Sequence, residues 1–345
     1  MVNKEITIYE IAEELNISPT TVSRALKDHH TISLITRQRV METAKRLGYR
    51  QNKFAKSLRD QKTNTIGVIL HELNSYFTAS VLTGIEKVTS KAGYDLLIAN
   101  SFERPEQEIA NAENLYEKRV DGLIASMSFG TKNLDHYKKF EKRNIPLIFV
   151  DRVDEDSSYA KVIIDNHKGG FQVTQHLIDQ GCKRIVHLTA ALERNVYNQR
   201  YLGYRDALKA NGIHYKDEYV VEAKDLSEQS AIETAHKILK MKPMPDGLFA
   251  CNDFSAAVCM HTLKEHGIRI PEDVAIAGFN DDVIGKLVDP QLTSISYPGI
   301  TIGEIAAGNI ISHLRKNSDI KDTSRIFVRS ELIIRKSSLH NKKGD

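Results

Sequence analysis

The sequence predicts a small all-helical unit at the N-terminus, followed by a larger α/β body whose parallel sheets form two lobes. Three observations lead to this fold class. Within the first 50 residues, helix-capping residues occur at the predicted ends of short helices. From Thr65 onward, short apolar runs alternate with longer amphipathic stretches, which is typical of strands joined by crossover helices. The chain has 345 residues, a length that suits two or three compact units.

The first predicted helix begins after Thr7. Thr7 and Glu10 have the spacing of a capping box, in which each side chain accepts a hydrogen bond from a backbone N–H that the helix leaves free. The apolar positions that follow fall on one helical face: Ile8, Ile11, Ala12 and Leu15. Asn16 and Ile17 then supply a turn, so a second helix can follow closely.

The second and third helices complete a helix-turn-helix pattern. Ser18 is a predicted N-cap, and Pro19 stands at the first helical position, where its missing N–H costs nothing. The third helix is expected between a cap at Ser33 and a stop at Gly48. The outer face of the second helix carries hydroxyls beside an arginine, which suit contacts to phosphates and base edges in a DNA major groove: Thr20, Thr21, Ser23 and Arg24. The alternative is a three-helix bundle with a solvated polar face.

The charge distribution supports a polyanion partner for the N-terminal unit. Residues 1–62 hold 12 Lys and Arg against 7 Asp and Glu, whereas the whole chain has a net charge of only +3. A basic segment on a nearly neutral body indicates that the segment alone meets the polyanion.

The segment TIYEIAEELNISPTTVSRALKDHHTIS resembles the DNA-binding headpiece of the LacI/GalR family of bacterial transcriptional regulators. Glu10, Asn16 and Lys27 depart from the commoner family residues, but none removes a cap or a core residue. The resemblance implies base contacts from Pro19, Thr20 and Arg24, and phosphate contacts from Thr21 and Ser23. The DNA-binding set predicted for the headpiece is Thr7, Ser18, Pro19, Thr20, Thr21, Ser23 and Arg24.

The stretch after the headpiece resembles the hinge of the same family. Nine residues from Asn52 are too few for a stable isolated helix in water. The resemblance implies a hinge helix that folds when two copies pair on DNA, with Leu58 wedged into a minor-groove base step. The hinge residues expected to contact DNA are Asn52, Ala55, Lys56, Leu58 and Arg59. A charged linker with one incidental leucine is the alternative.

The body resembles the two-lobed, periplasmic-binding-protein-like domain of LacI/GalR regulators. The motifs PLIFVDR, PDGLFACND and IPEDVAIAGFNDD carry much of this resemblance. It implies residues 1–50 as headpiece, 51–62 as hinge and 63–340 as the effector-binding and dimerisation domain. One lobe would combine about 65–165 with 299–323, and the other about 166–297 with 330–340.

A ligand cleft is expected between the lobes, because open α/β sheets bind ligands at the carboxyl ends of their strands. Carboxylates, amides, guanidinium groups and aromatic rings follow the apolar runs, and together they suit a sugar. The predicted effector-binding residues are Asn74, Tyr76, Phe77, Asp151, Arg194, Arg200, Asn252, Asp253 and Asp281. Asn280 and Asp282 fit helix caps at least as well, and His71 and Tyr297 could line the cleft or the core. A non-sugar anion or a nucleobase is the alternative effector.

Other functions find little support in the sequence. No nucleotide-binding, zinc-protease or nucleophile-elbow motif is present, so we expect no enzyme activity, no cofactor and no metal site. A solute-binding transport protein would share the body, but it should carry an export signal and lack the headpiece. We therefore expect a cytoplasmic homodimer without membrane contact. It would bind a pseudo-palindromic operator in double-stranded DNA, as a repressor under the control of a small molecule.

Overall fold

The computed structural model describes residues 6–49 and 62–339. Contacts divide the chain into two units, Met1–Thr63 and Asn64–Asp345. The hinge prediction lies outside the described residues: Asn52, Ala55, Lys56, Leu58 and Arg59.

Three helices form the N-terminal unit: α1 (Ile8–Leu15), α2 (Pro19–Ala25) and α3 (Leu34–Leu47). The capping box of Thr7 and Glu10 is present, and Ser18 caps α2 ahead of its first-turn proline. Asn16 ends α1 with φ 51° and Gly48 ends α3 with φ 70°, both in the left-handed region. The predicted helix-turn-helix and its caps are confirmed, because these signals are local and side chains within a few residues satisfy them.

A small apolar core holds the three helices together. Its fully buried members come from all three helices: Ile11, Ala12, Val22, Ala25, Val40 and Ala44. The loop before α3 is fastened by Arg37, which forms an ion pair with Asp28. Arg37 also donates to the backbone carbonyls of His29 at 3.1 Å and Ile32 at 2.9 Å. The core therefore fixes α2 from one side and leaves its polar face outward.

Strands and helices alternate along the body, as the sequence predicts. Between residues 62 and 339 the strands are β1 (Thr65–Leu70), β2 (Asp95–Asn100), β3 (Gly122–Ala125), β4 (Leu147–Val150), β5 (Ala160–Ile164), β6 (Ile185–Thr189), β7 (Val220–Glu222), β8 (Gly247–Ala250), β9 (Ala275–Ala277), β10 (Ser294–Ile295), β11 (Arg325–Val328) and β12 (Leu332–Ile333). The α-helices are α4 (Tyr76–Ala92), α5 (Pro105–Glu117), α6 (Lys138–Lys142), α7 (Asn166–Asp179), α8 (Asn195–Ala210), α9 (Glu228–Lys240), α10 (Asp253–Glu265), α11 (Val283–Leu287) and α12 (Gly299–Leu314). The short apolar runs that the sequence shows from Thr65 onward form strands.

Two parallel sheets define the two lobes. The first lobe has a six-stranded sheet in the order β11-β5-β4-β3-β1-β2. The second lobe has a four-stranded sheet in the order β7-β6-β8-β9 and a short antiparallel pair, β10 and β12. The central strands of both sheets are buried on both faces, which is why they read as continuous apolar runs.

The chain passes between the lobes three times. It leaves the first sheet after β5, returns from β10 to α12, and leaves again between β11 and β12. The last strand of the first sheet, Arg325–Val328, pairs in parallel with β5. It lies beyond residue 323, where the sequence analysis ends the first lobe. The third passage is therefore shorter than the sequence suggests and covers residues 329–331.

Glycines allow two helices of the first lobe to pack closely. A Cβ atom on Gly84 of α4 would lie 2.1 Å from the carbonyl oxygen of Ile300. A Cβ atom on Gly303 of α12 would lie 2.1 Å from the carbonyl oxygen of Val81. Because real Cβ atoms do not approach so closely, these positions require glycine, and the two helices form one rigid layer of the lobe.

The described residues, 6–49 and 62–339, contain neither a membrane-spanning helix nor a metal-binding cluster. None of their helices is both long and apolar enough to cross a membrane. None of their groups of three or more His, Cys, Asp or Glu side chains is placed to hold a metal ion.

Candidate functional site

The outer face of α2 presents the polar side chains that the sequence predicts for DNA contact. Thr20 and Arg24 are exposed, and Thr21 and Ser23 are half-buried. Ser18 serves as the N-cap, accepting the backbone N–H of Thr21 at 3.1 Å. This helix thus offers hydroxyl groups and one guanidinium group to a groove, while its apolar side is buried.

A cavity of about 410 Å³ opens between the two lobes of the body. The first lobe contributes residues after β1 and β4, and the second contributes the starts of α8, α10 and α11 together with the segment before α9. Its lining includes carboxylates, amides, two guanidinium groups and aromatic rings: Glu72, Asn74, Tyr76, Phe77, Asp151, Arg152, Tyr197, Arg200, Glu228, Asn252, Phe254, Asn280, Asp282 and Tyr297. The carboxyl ends of strands in both sheets meet here, as expected for an α/β ligand site.

Arg200 forms the rigid base of the cavity. Its Nε donates to the amide oxygen of Asn166 at 2.9 Å, and its Nη1 donates to the carbonyl oxygen of Cys251 at 2.6 Å. The guanidinium group lies 3.7 Å from the centre of the Phe279 ring. Gly170 of α7 allows this placement, since a Cβ atom there would lie 2.3 Å from the Arg200 carbonyl oxygen. With its position fixed, Arg200 can offer its remaining N–H groups to a ligand.

Asp151 and Tyr297 meet in the cavity lining. The phenol of Tyr297 donates to Oδ1 of Asp151 at 2.7 Å, and its ring stacks on Phe77 with centroids 4.2 Å apart. Asp151 has φ 61° and Asn280 has φ 114°, both in the left-handed region. Such backbone conformations in residues other than glycine are costly and cluster at functional sites.

Arg152 links the first lobe to the second beside the cavity. Its Nη1 donates to both carboxylate oxygens of Glu103, at 2.6 and 2.8 Å, and its Nη2 donates to the phenol oxygen of Tyr197 at 2.9 Å. The ring of Phe129 lies 4.3 Å from the guanidinium carbon. The Arg152 charge is therefore neutralised within the protein, unlike that of Arg200.

The start of α8 makes further hydrogen bonds to the first lobe. The Asn195 amide accepts the backbone N–H of Val153 at 3.0 Å and donates to the carbonyl oxygen of Asp151 at 3.1 Å. Arg194 donates to the carbonyl oxygen of Thr131 at 2.7 Å. These contacts hold the lobes together at one side of the cavity, so a change in lobe angle must break or rearrange them.

Burial shifts the pKa values of the acids in and beneath the cavity. Burial raises the pKa of Asp282 to about 6 and that of the underlying Asp253 to about 7. It also raises the pKa of Asp151 and Glu72. His71, which bonds Ser126 Oγ at 3.0 Å, has a pKa well below its usual value because it is fully buried, so its ring is neutral.

Comparison with known proteins identifies the family. Residues 7–52 match the model of bacterial regulatory proteins of the lacI family, and residues 174–338 match the periplasmic binding protein-like domain. Catabolite control protein A of Priestia megaterium is 31% identical over 314 residues, which cover 91% of this chain and 94% of the relative. The chain belongs to the LacI family. It is a DNA-binding transcriptional regulator, and members of this family are regulators rather than enzymes.

Solved LacI-type structures support the fold. The lac repressor dimer bound to operator and the anti-inducer ONPF has a TM-score of 0.86 at 22% identity, covering 98% of this chain and 100% of that chain. A complex of the transcriptional regulator CelR with cellobiose has a TM-score of 0.71 at 25% identity, covering 96% and 100% of the two chains. The predicted architecture of headpiece and two-lobed body is therefore confirmed.

Six of the nine predicted effector residues line the cavity in this LacI-family chain: Asn74, Tyr76, Phe77, Asp151, Arg200 and Asn252. The other three lie elsewhere. Arg194 turns to Thr131 as described above, and Asp253 lies beneath the cavity, accepting from Ser294 Oγ and the Asp282 N–H at 2.7 Å each. Asp281 pairs with Arg335 at 2.6 Å and Lys286 at 3.1 Å. The buried Nε of Arg194 has no hydrogen-bond partner among the described residues. These three side chains are not part of the cavity lining, and a ligand contact from any of them stays a prediction.

Several lining residues were not among the predicted contacts. Arg152, Asn280 and Asp282 follow strands that the sequence identifies, so their position alone could have included them. Tyr197 lies in the first turn of α8, ahead of the recognised Arg200. Glu228, at the start of α9, has no such signal, because the chain between β7 and α9 reaches the cavity only through the tertiary fold.

Proposed function

We propose that this protein is a transcriptional repressor whose affinity for its operator is set by a small molecule, a carbohydrate, bound between the two lobes. The proposal assigns residues 1–50 to DNA binding, 51–62 to a hinge and 63–340 to effector binding and dimerisation. The observation that carries it is the cavity itself, which both lobes line with hydrogen-bonding and aromatic side chains. A ligand that bridges the lobes favours one lobe angle over another and so shifts the balance between two states.

Each headpiece would bind one half-site of a two-fold-symmetric operator. Two copies of α2 facing a pseudo-palindromic operator would place Thr20, Arg24 and their neighbours in successive major grooves. Leu58 of each hinge would wedge into the central minor groove, where a kink permits further backbone contacts. In a homodimer, the angle between the lobes would set the spacing of the two hinges. Effector binding in the cavity would then be coupled to operator binding, with a coupling free energy of about 1–3 kcal/mol.

A carbohydrate fits the chemistry of the cavity walls. Carboxylate and amide oxygens on Asp151, Asn252 and Asp282 accept hydrogen bonds from hydroxyls, and Arg200 donates to them. Tyr76, Phe77 and other aromatic rings offer faces for the C–H side of a sugar ring. The cellobiose complex of the similar regulator CelR agrees with this class of effector.

The proposal is tested by selection and by ligand screening with the full-length protein. Selection from a randomised duplex pool at fixed salt should enrich a two-fold-symmetric site, and a thermal-shift screen of neutral sugars should find a compound that changes operator affinity. A Leu58→Ala variant should bind the enriched site more weakly while its ligand affinity is unchanged. Failure to enrich any site, with or without sugars, would contradict the proposal.

A further inference from the structure

The charged groups that line the cavity do not balance. Four carboxylates face it, those of Glu72, Asp151, Glu228 and Asp282, against the two guanidinium groups of Arg152 and Arg200. The pair that Arg152 forms with Glu103 at 2.6 Å removes its charge from the balance. The neighbours of Arg200 are amide and carbonyl oxygens and an aromatic ring. Among the described residues that line the cavity, Arg200 is then the one arginine without a carboxylate partner.

The starts of α10 and α11 do not make up this deficit of positive charge. Helix N-termini attract anions, but both of these ends already carry carboxylates of the protein itself. Asp253 begins α10, and Asp282 is the N-cap of α11, where its backbone N–H donates to Asp253 at 2.7 Å. Asn252 caps α10 by accepting from the Ser255 N–H, also at 2.7 Å. A phosphate placed there would meet carboxylates instead of free N–H groups.

The hydrogen-bonding pattern of the cavity lining also disfavours an anionic ligand. An ionised carboxylate only accepts hydrogen bonds, so a complementary ligand must donate them. Hydroxyl and amino groups donate, whereas a phosphate dianion or a carboxylate does not. The Glu72 side chain is 31% exposed at the edge of the first lobe, and Asp282 lies on the second lobe, so carboxylates flank the ligand from both sides.

We propose that the effector is a carbohydrate without phosphate or carboxylate groups, neutral or amino-substituted, and that Glu72 and Asp282 enforce this selection. This inference rests on the proposed function, since it assumes that the cavity is the effector site. A phosphorylated sugar would bring negative charge against carboxylates in a partly desolvated cleft, which is a repulsive arrangement that excludes wrong ligands.

The test uses pairs of disaccharides and the full-length protein. Cellobiose, lactose, maltose and sucrose, each beside its 6-phosphate, are titrated by calorimetry at fixed ionic strength. Every pair with measurable binding should favour the unphosphorylated sugar by about tenfold or more. A phosphorylated member that binds as tightly as its parent overturns the inference, and so does the absence of binding by every unphosphorylated sugar and its amino derivative.

Variants assign the selection to named residues. Glu72→Gln and Asp282→Asn keep the shape of each side chain. The Asp282 side chain makes no capping hydrogen bond to α11, so α11 should be preserved. Each should lower the preference for the unphosphorylated sugar by about threefold or more, and the double variant should lower it further. Glu86→Gln, at an exposed position of α4 outside the cavity lining, is the matched control and should keep the wild-type preference. Unchanged preferences in both single variants and the double variant contradict the assignment.

A parallel measurement separates this inference from the proposed function. Operator binding without ligand is followed by fluorescence anisotropy on the site obtained by selection. Loss of DNA binding would contradict the proposed function and leave the sugar preference as measured. Normal DNA binding, together with a preference for phosphorylated sugars, would overturn the inference alone.

Discussion

The phenol of Tyr297 donates a 2.7 Å hydrogen bond to the carboxylate of Asp151, and it does so from the segment that leads back into the first lobe. Asp151 directly follows the β4 strand of that lobe, with its backbone in the left-handed region. A side chain on a connection between lobes therefore fixes the orientation of a carboxylate that lines the cavity. We therefore expect binding at Asp151 to be coupled to movement of the connection through this contact.

Removing the phenol tests this contact. Tyr297→Phe leaves the buried Asp151 carboxylate without its donor, so the free energy of unfolding should fall by about 1–3 kcal/mol. Affinity for the effector should fall as well, since the carboxylate loses its fixed position. Denaturant unfolding and calorimetry measure both effects. Tyr159→Phe, whose exposed hydroxyl lies 3.5 Å from Glu141, is the control and should cost little.

Asn195 tests the contact between lobes at α8. Asn195→Ala removes the acceptor of the Val153 N–H and the donor to the Asp151 carbonyl. Hydrogen exchange at Val153 should become faster, and effector affinity should fall by about 1 kcal/mol or more, because the closed arrangement loses two hydrogen bonds. Asn198→Ala, at an exposed position of the same helix, should leave both unchanged. Equal exchange rates in the two variants would contradict a role for Asn195 in closure.

Arg24 tests the headpiece. Arg24→Ala should weaken binding to the selected operator by about 1–3 kcal/mol and relax base preference at one position of each half-site. Arg39→Ala also removes an exposed charge, here from α3, and it should weaken binding to all sequences alike if it acts only through phosphates. Anisotropy titrations on the operator and on scrambled duplexes separate the two effects. A uniform loss in the Arg24 variant would show that this residue does not read bases.

The raised pKa of Asp253 predicts a pH dependence of stability. The folded protein holds this proton up to about pH 7, whereas the unfolded chain releases it near about pH 4. The folded state thus binds more protons between these values, and its stability falls as pH rises through this window. Asp253→Asn should reduce that fall, since its amide oxygen can accept from Asp282 while its amide N–H donates to Ser294 Oγ. The difference in the free energy of unfolding between Asp253→Asn and wild type should grow by about 1–2 kcal/mol from about pH 5 to about pH 7.5.

Asp273→Asn provides the control for this measurement. The Arg269 side chain lowers the pKa of Asp273 to about 2, which is a shift of the opposite sign. Both its folded and its unfolded titration lie below the measured window, so the slope of stability against pH should stay as in wild type. Thermal and denaturant unfolding across the window measure both variants. An Asp253→Asn slope equal to the wild-type slope would contradict the prediction.

The sequence predicts features that depend on short-range contacts. Thr7, Ser18 and Gly48 act within one helical turn, so spacing alone identifies their roles. The parallel sheets follow from continuous apolar runs in the same way. Capping and sheet burial use information that lies within a few residues, and the structure agrees with both.

The ligand site depends on three-dimensional packing that the sequence does not show. Arg194 and Arg200 are similar arginines near the start of one helix, yet the first bonds the opposite lobe and the second faces the cavity. Asp253 follows a strand as Asp151 does, but Ser294 and the Asp282 N–H draw its carboxylate beneath the surface. Which polar residue faces a ligand is decided by partners distant in sequence. Periodicity does not contain that information.

The threefold passage of the chain between lobes has a consequence for mutations in the gene. The first lobe is completed by α12 and β11, which are encoded long after the rest of that lobe. A stop codon just after Pro298 would remove the helix that packs on Gly84 and the strand that pairs with β5. Nonsense mutations late in the reading frame should therefore inactivate the protein as thoroughly as early ones. Neither lobe is encoded by one continuous stretch of the gene, so neither can be exchanged as a single continuous segment.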